Sequence, residues 1–165
     1  MKKRISTLLA AVLISSATLM AQSTLKPKEV ESIRVVLSRW NQFQDDGNLN
    51  GFMNLWAANP TFENPFGQFN SFEEIKGFEQ NYLSGFANGK RHLASNTTIT
   101  SDPQDKSKAV AIVDLMVVEV KEIPYIAATV RANVSLVKED GLWKVKSVAL
   151  AIDEGFNKLM EAAKK

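Results

Sequence analysis

The sequence predicts an α+β domain in which one mainly antiparallel sheet curls around three helices. Two observations carry that prediction. Apolar residues recur at three- and four-residue steps from Val30 to Phe86, whereas β-branched runs separated by turn clusters fill Arg91 to Asp153. Helices segregated from hairpin-linked strands are the pattern of an α+β architecture.

In chain order, Val30, Ile33, Leu37 and Trp40, widened by Val36 and Phe43, form the stripe of a first helix that ends near Asp46-Gly47. Asn48 is placed to cap a second, shorter helix through Leu49, Phe52, Met53 and Trp56, stopped by Asn59-Pro60. After the short extended piece Thr61 to Pro65, Ser71-Phe72-Glu73-Glu74 has capping-box spacing, and Ile75, Phe78, Tyr82 and Phe86 continue a third helix that Asn88-Gly89 closes. Strands are expected over 93–100, 109–120, 125–137 and 142–152. Their apolar residues outnumber what one sheet face needs, so both faces are expected to be covered, one by a partner subunit. Glu154 to Lys165 is expected to form an amphipathic tail helix through Phe156, Leu159 and Met160.

Lys2, Lys3 and Arg4 precede an apolar stretch from Ile5 to Leu19, and small residues lead to Ala21-Gln22. That is the layout of an export signal, residues 1–21, with cleavage after Ala21 and Ala17 as the fallback site. Ser15, Ser16 and Thr18 interrupt the run, which falls short of the ~20 apolar residues a membrane span needs. The remaining 22–165 is expected to be one domain, periplasmic or secreted, with no membrane span. With the signal removed, the 20 basic residues fall to 17 against 18 acidic, which argues against a nucleic-acid partner. The chain has no cysteine, so no disulfide is available, and with one histidine a metal site is not expected. No cofactor is expected either: Gly85 to Lys90 is one residue short of a phosphate-binding loop and follows a helix where a strand is required.

Two short segments carry a resemblance. Thr61-Phe62-Glu63-Asn64-Pro65-Phe66-Gly67-Gln68 is similar to the strand-and-turn segment of ketosteroid isomerases, and Asp140-Gly141-Leu142-Trp143-Lys144-Val145 is similar to the turn and final-strand opening of the same superfamily. From Val30 to Asp153 the chain resembles the nuclear transport factor two-like, or cystatin-like cone, superfamily, in particular its SnoaL-like and ketosteroid isomerase-like members. The resemblance implies three helices packed in the concave side of a curved sheet of four to five strands, a cone with a central pocket. It also implies a small hydrophobic or amphipathic ligand; that the ligand is carbonyl-bearing or acidic, and that the domain is a homodimer through its sheet, are expectations from the residues themselves.

The resemblance places Asn64 where the isomerases have their aspartate base, and an amide has no useful basicity at neutral pH. Trp40 and Asn133 stand at the oxyanion-hole positions, where both can still donate a hydrogen bond. Steroid-type isomerisation by the family's own machinery is therefore not expected.

His92 is the natural replacement base because its ordinary pKa suits proton transfer near neutrality, although a lone strand histidine is more often a packing residue. Glu63 and Asp153 are further acid/base candidates. His92, Ala94, Asn96 and Thr98 alternate onto one side of their strand, so Asn96 is expected beside His92. Tyr125, Thr129, Arg131 and Asn133 share the parity that faces the pocket in the isomerases, which would put Arg131 beside an acidic ligand; the alternative is that this parity faces solvent. Asp114, in an apolar run, needs a partner, and Arg131 or Arg91 can supply it. Aromatic residues near the proline turn, Phe62, Phe66, Tyr82 and Trp40, are candidate pocket walls, joined by Asn64, Asn96, Tyr125, Arg131 and Asn133. Three functions follow: a non-catalytic ligand-binding domain, first in order; an isomerase, cyclase or hydro-lyase using His92 or a pocket carboxylate; and a protein–protein interaction module.

Overall fold

A computed structural model describes residues 25–121, 123–155 and 158. The expected export signal and most of the expected tail helix lie outside the described residues. Helix α1 spans Pro27–Asp45, α2 Leu49–Met53 and α3 Phe72–Ser84. Strands are β1 Trp56–Asn64, β2 Gly67–Phe69, β3 Lys90–Ser101, β4 Lys108–Glu119, β5 Ile126–Glu139 and β6 Leu142–Ile152, in one six-stranded sheet of order β2-β1-β6-β5-β4-β3. The sheet exceeds the expected four to five strands because the extended piece after α2 is a nine-residue strand. It pairs parallel to β6 and forms a hairpin with β2; the other pairings are antiparallel.

Local chemistry explains the boundaries. Pro27 opens α1, where its missing N–H leaves no intrahelical bond unmade. The Asn48 side chain accepts from Gly51 N–H at 2.8 Å and the Ser71 hydroxyl accepts from Glu74 N–H at 3.2 Å, each satisfying a first-turn donor. Helix α2 stops at Met53, short of the expected Asn59-Pro60; Trp56 already belongs to β1, and Asn59, at φ 48°, sits where the β1–β6 register shifts. Asp140 and Gly141, both at positive φ, make the tight β5–β6 turn.

The core lies between α1–α3 and the inner sheet face. Ile33, Phe52, Phe62, Ile75, Ala111, Leu136 and Val145 are essentially inaccessible. Trp40 meets Phe52 and Trp56 edge-on at 4.5 and 4.9 Å, the favoured geometry for aromatic pairs. Glu29 anchors the start of α1 to the sheet, accepting from Trp143 Nε1 at 2.6 Å and Lys138 Nζ at 3.0 Å. Along β5 the residues Ala128, Ala132 and Val134 are buried while Arg131 and Asn133 are exposed. The apolar parity faces inward because α1 covers that side, and the core fills only part of the concavity.

Candidate functional site

A cavity of about 620 Å³ remains between the helices and the inner sheet face, within the usual range for small-molecule sites. Helix α1 places Leu37, Trp40, Asn41 and Gln44 along it, residues at i, i+3, i+4 and i+7 of one face. The opposite wall is apolar, with Val113, Leu115, Val130, Val134, Val148 and Leu150 from β4, β5 and β6. Phe78, Tyr82 and Phe86 form a side wall in which Tyr82 stacks between the other two at 5.8 and 5.6 Å. Asn64, Pro65 and Phe66, from the β1–β2 turn, complete the lining, with Phe66 69% exposed at the mouth.

The polar groups gather on one side. His92, buried on β3, donates its backbone N–H to Asp45 Oδ1 at 2.9 Å, and its Nδ1 lies 2.8 Å from the same oxygen. A carboxylate only accepts, so Nδ1 carries a proton, and in the neutral ring Nε2 is then the acceptor. The Tyr82 hydroxyl donates to Nε2 at 3.0 Å. Burial, then the nearby Glu79 and Asp45 carboxyls, push the Tyr82 phenol well above its ordinary range, which keeps it a donor. Glu79 lies fully buried behind Tyr82, accepting from Gln44 Nε2 at 2.8 Å. Burial raises its carboxyl to about 7, against the lowering effect of the Gln44 bond. Among the described residues, no group of three or more His, Asp or Glu is placed to hold a metal ion.

Six residues expected at the pocket line it: Trp40, Phe62, Asn64, Phe66, Tyr82 and His92. Asn64 has a turn-shaping bond there, its Oδ1 accepting from Phe66 N–H at 2.8 Å.

The other candidates lie elsewhere. Asn96 leaves His92's side of β3 because it sits at φ 46° in a bulge between Ser95 and Thr98, which resets the alternation. It donates to Asp114 Oδ2 at 3.3 Å, and Arg131 Nε donates to Asp114 Oδ1 at 2.8 Å, so the partner Asp114 needs is Arg131, on the outer face. That pairing holds the Asp114 carboxyl below its ordinary range. Asn133 and Glu63 line a shallow outer recess of about 240 Å³, and Tyr125 and Asp153 are exposed. The parity shared by Tyr125, Arg131 and Asn133 therefore faces outward, and Arg131 brings no positive charge into the cavity.

Sequence reading missed Asn41, Gln44, Asp45 and Glu79. The signal was available for three of them: Asn41 and Gln44 continue the Ile33-Leu37 stripe and Glu79 the Ile75 stripe, polar residues at apolar positions. Asp45 had no such mark, because its role depends on where α1 ends beside β3.

The SnoaL-like domain family matches residues 28–149, so the chain belongs to the SnoaL-like family. No curated protein matches the chain. Among solved structures, a Nostoc punctiforme protein with a cystatin-like fold is similar at 22% identity and TM-score 0.72, covering 79% of this chain and 95% of that one. A putative scytalone dehydratase from Novosphingobium aromaticivorans is similar at 18% identity and TM-score 0.66, covering 76% and 84%. ActVI-ORFA from Streptomyces coelicolor is similar at 15% identity and TM-score 0.66, covering 76% and 98%. At these identities the likeness shows the cystatin-like, nuclear transport factor two-like fold. The domain is a small-molecule-binding one of that superfamily.

Proposed function

We propose that this domain is an acid–base enzyme acting on a small, largely apolar carbonyl compound, in the manner of an isomerase, cyclase or hydro-lyase. The observation that carries the reading is the chain Asp45–His92–Tyr82 on the polar side of an apolar cavity. A base needs a fixed tautomer with its lone pair toward the substrate side, and Asp45 holds Nδ1–H while Nε2 looks toward the cavity. The proton leaves a carbon beside the ligand carbonyl for Nε2, either directly, with the ligand displacing the Tyr82 hydroxyl, or through the Tyr82 oxygen as that hydroxyl passes its own proton to Nε2. Asp45 stabilises the imidazolium that forms. The same groups return the proton at another atom. The apolar walls exclude water, which strengthens each of these interactions.

Deuterium incorporation from heavy water into the activated methylene of β-tetralone tests this reading. Wild-type protein should accelerate it by roughly a hundredfold or more over His92→Gln, the usual worth of a positioned base. Equal rates in the two proteins, or none above buffer, overturn it. They would favour the non-catalytic reading, which has its own support in Asn64, an amide committed to its turn where the isomerases carry a base.

Two proposals concern the protein's setting. We infer export to the periplasm or beyond from the layout of residues 1–21, and the mass of the mature N-terminus tests it. We infer a homodimer through the outer sheet face, where Leu93, Val110 and Ile112 are exposed apolar residues; a monomeric mass at micromolar concentration contradicts it.

A further inference from the structure

Glu79 is the buried group that the proton-transfer chemistry leaves unused. It occupies a stripe position of α3, one turn after Ile75, with a side chain that solvent does not reach. Oε1 accepts from Gln44, and Oε2 is buried without a partner among the described residues. An apolar residue there would avoid that cost, since a buried carboxyl with an unmet oxygen destabilises a fold. Packing therefore gives no reason for Glu79, and its partner among the described residues, Gln44, lines the cavity.

We propose that Glu79, through its hydrogen bond to Gln44, sets the polarity of one point on the cavity wall and so selects ligands that bring a hydroxyl or N–H donor to that point. A carboxylate can only accept, whereas an amide has an N–H end and a carbonyl end. The bond to Oε1 commits the Nε2 end to Glu79; on this proposal the carbonyl oxygen is the end of this cavity-lining side chain that reads the ligand. With an apolar amino acid in place of Glu79, the Gln44 amide could turn either way and would discriminate little. Tyr82 is engaged with His92 Nε2, and Asn41 on the same wall has, among the described residues, no Glu79-like group fixing its amide, so the Gln44 carbonyl is the oriented acceptor that reads the ligand there. Opposite it lies the apolar wall of β4, β5 and β6. The class of ligand that fits is a small, largely apolar molecule carrying a hydroxyl or N–H donor on one edge.

The inference rests on the reading of the cavity as a site for small apolar molecules, and not on proton transfer. The test compares affinities for β-naphthol and its methyl ether, which share a ring system and differ in the hydroxyl donor. Titration calorimetry is run at about pH 8, above the value of about 7 to which burial raises the carboxyl. Wild-type protein should prefer the naphthol by roughly fivefold or more, the worth of one hydrogen bond. In Glu79→Gln the new amide can donate to the Gln44 carbonyl and free its N–H end for the cavity, so the preference should vanish or reverse while the ether binds at least as well. In Gln44→Met the preference should vanish with ether affinity kept, and this variant carries the test if Glu79→Gln fails to fold. A wild-type protein without the preference, an unchanged preference in either variant, or equal loss of both ligands overturns the proposal. A shifted preference without deuterium exchange leaves it standing while the acid–base reading fails. No binding of either probe overturns both.

Discussion

Asp45 and His92, 47 residues apart, share one oxygen: Asp45 Oδ1 accepts the backbone N–H of His92 at 2.9 Å and lies 2.8 Å from its ring Nδ1. The two contacts tie the end of α1 to β3 and hold the imidazole in one tautomer and one rotation. This relationship gives a lone strand histidine the fixed orientation that the proposed base requires.

Asp45→Asn should keep the fold but present a mixed donor and acceptor to Nδ1, releasing the tautomer. Deuterium exchange into β-tetralone is expected to fall by roughly a hundredfold or more. Exchange at the wild-type rate would show that Asp45 has only a structural role.

Phe52 and Phe66 should separate packing from binding. Phe52 is inaccessible in the aromatic cluster, so Phe52→Ala should cost about 3–5 kcal/mol in urea unfolding. Phe66 stands at the mouth, 69% exposed, so Phe66→Ala should leave stability within about 0.5 kcal/mol while weakening β-naphthol binding.

Glu79 predicts a pH dependence of stability. Its carboxyl titrates at about 7 in the folded chain against an ordinary 4.5, so the folded state holds the proton more tightly. The contribution is fully present below about pH 4.5 and is lost as pH rises through about 7, a change of about 3 kcal/mol. Glu79→Gln should flatten the profile between these values in thermal unfolding. A wild-type profile that rises over the same interval, with no change in the variant, would contradict the assigned burial.

Arg131→Ala should leave β-naphthol affinity unchanged, because Arg131 pairs with Asp114 on the outer face. A large loss of affinity, seen by calorimetry, would return Arg131 to the cavity.

The fold was legible because apolar periodicity is a local property: the stripe through Ile33, Leu37 and Trp40 and the β-branched runs each declare their element. The caps Asn48 and Ser71 were legible for the same reason. The site was readable only in part, since it depends on which side of each strand faces inward. Parity alone left β5 ambiguous, and the bulge at Asn96 reversed the alternation in β3, a shift that a positive φ imposes and a sequence pattern does not announce. Trp40, Tyr82 and His92 were found because their chemistry stands out anywhere. Asp45 and Glu79 were missed because their importance comes from a neighbour on another element.

The most direct test of the central claim is the nitrogen-15 spectrum of the imidazole, recorded before and after addition of β-tetralone. His92 is the only histidine in the chain, so its two ring signals are unambiguous. The account predicts a protonated Nδ1 that barely moves and an unprotonated Nε2 that shifts on binding, as the ligand enters the cavity and disturbs the Tyr82 bond. A proton on Nε2 in the free protein, or an Nε2 signal indifferent to bound ligand, would contradict it.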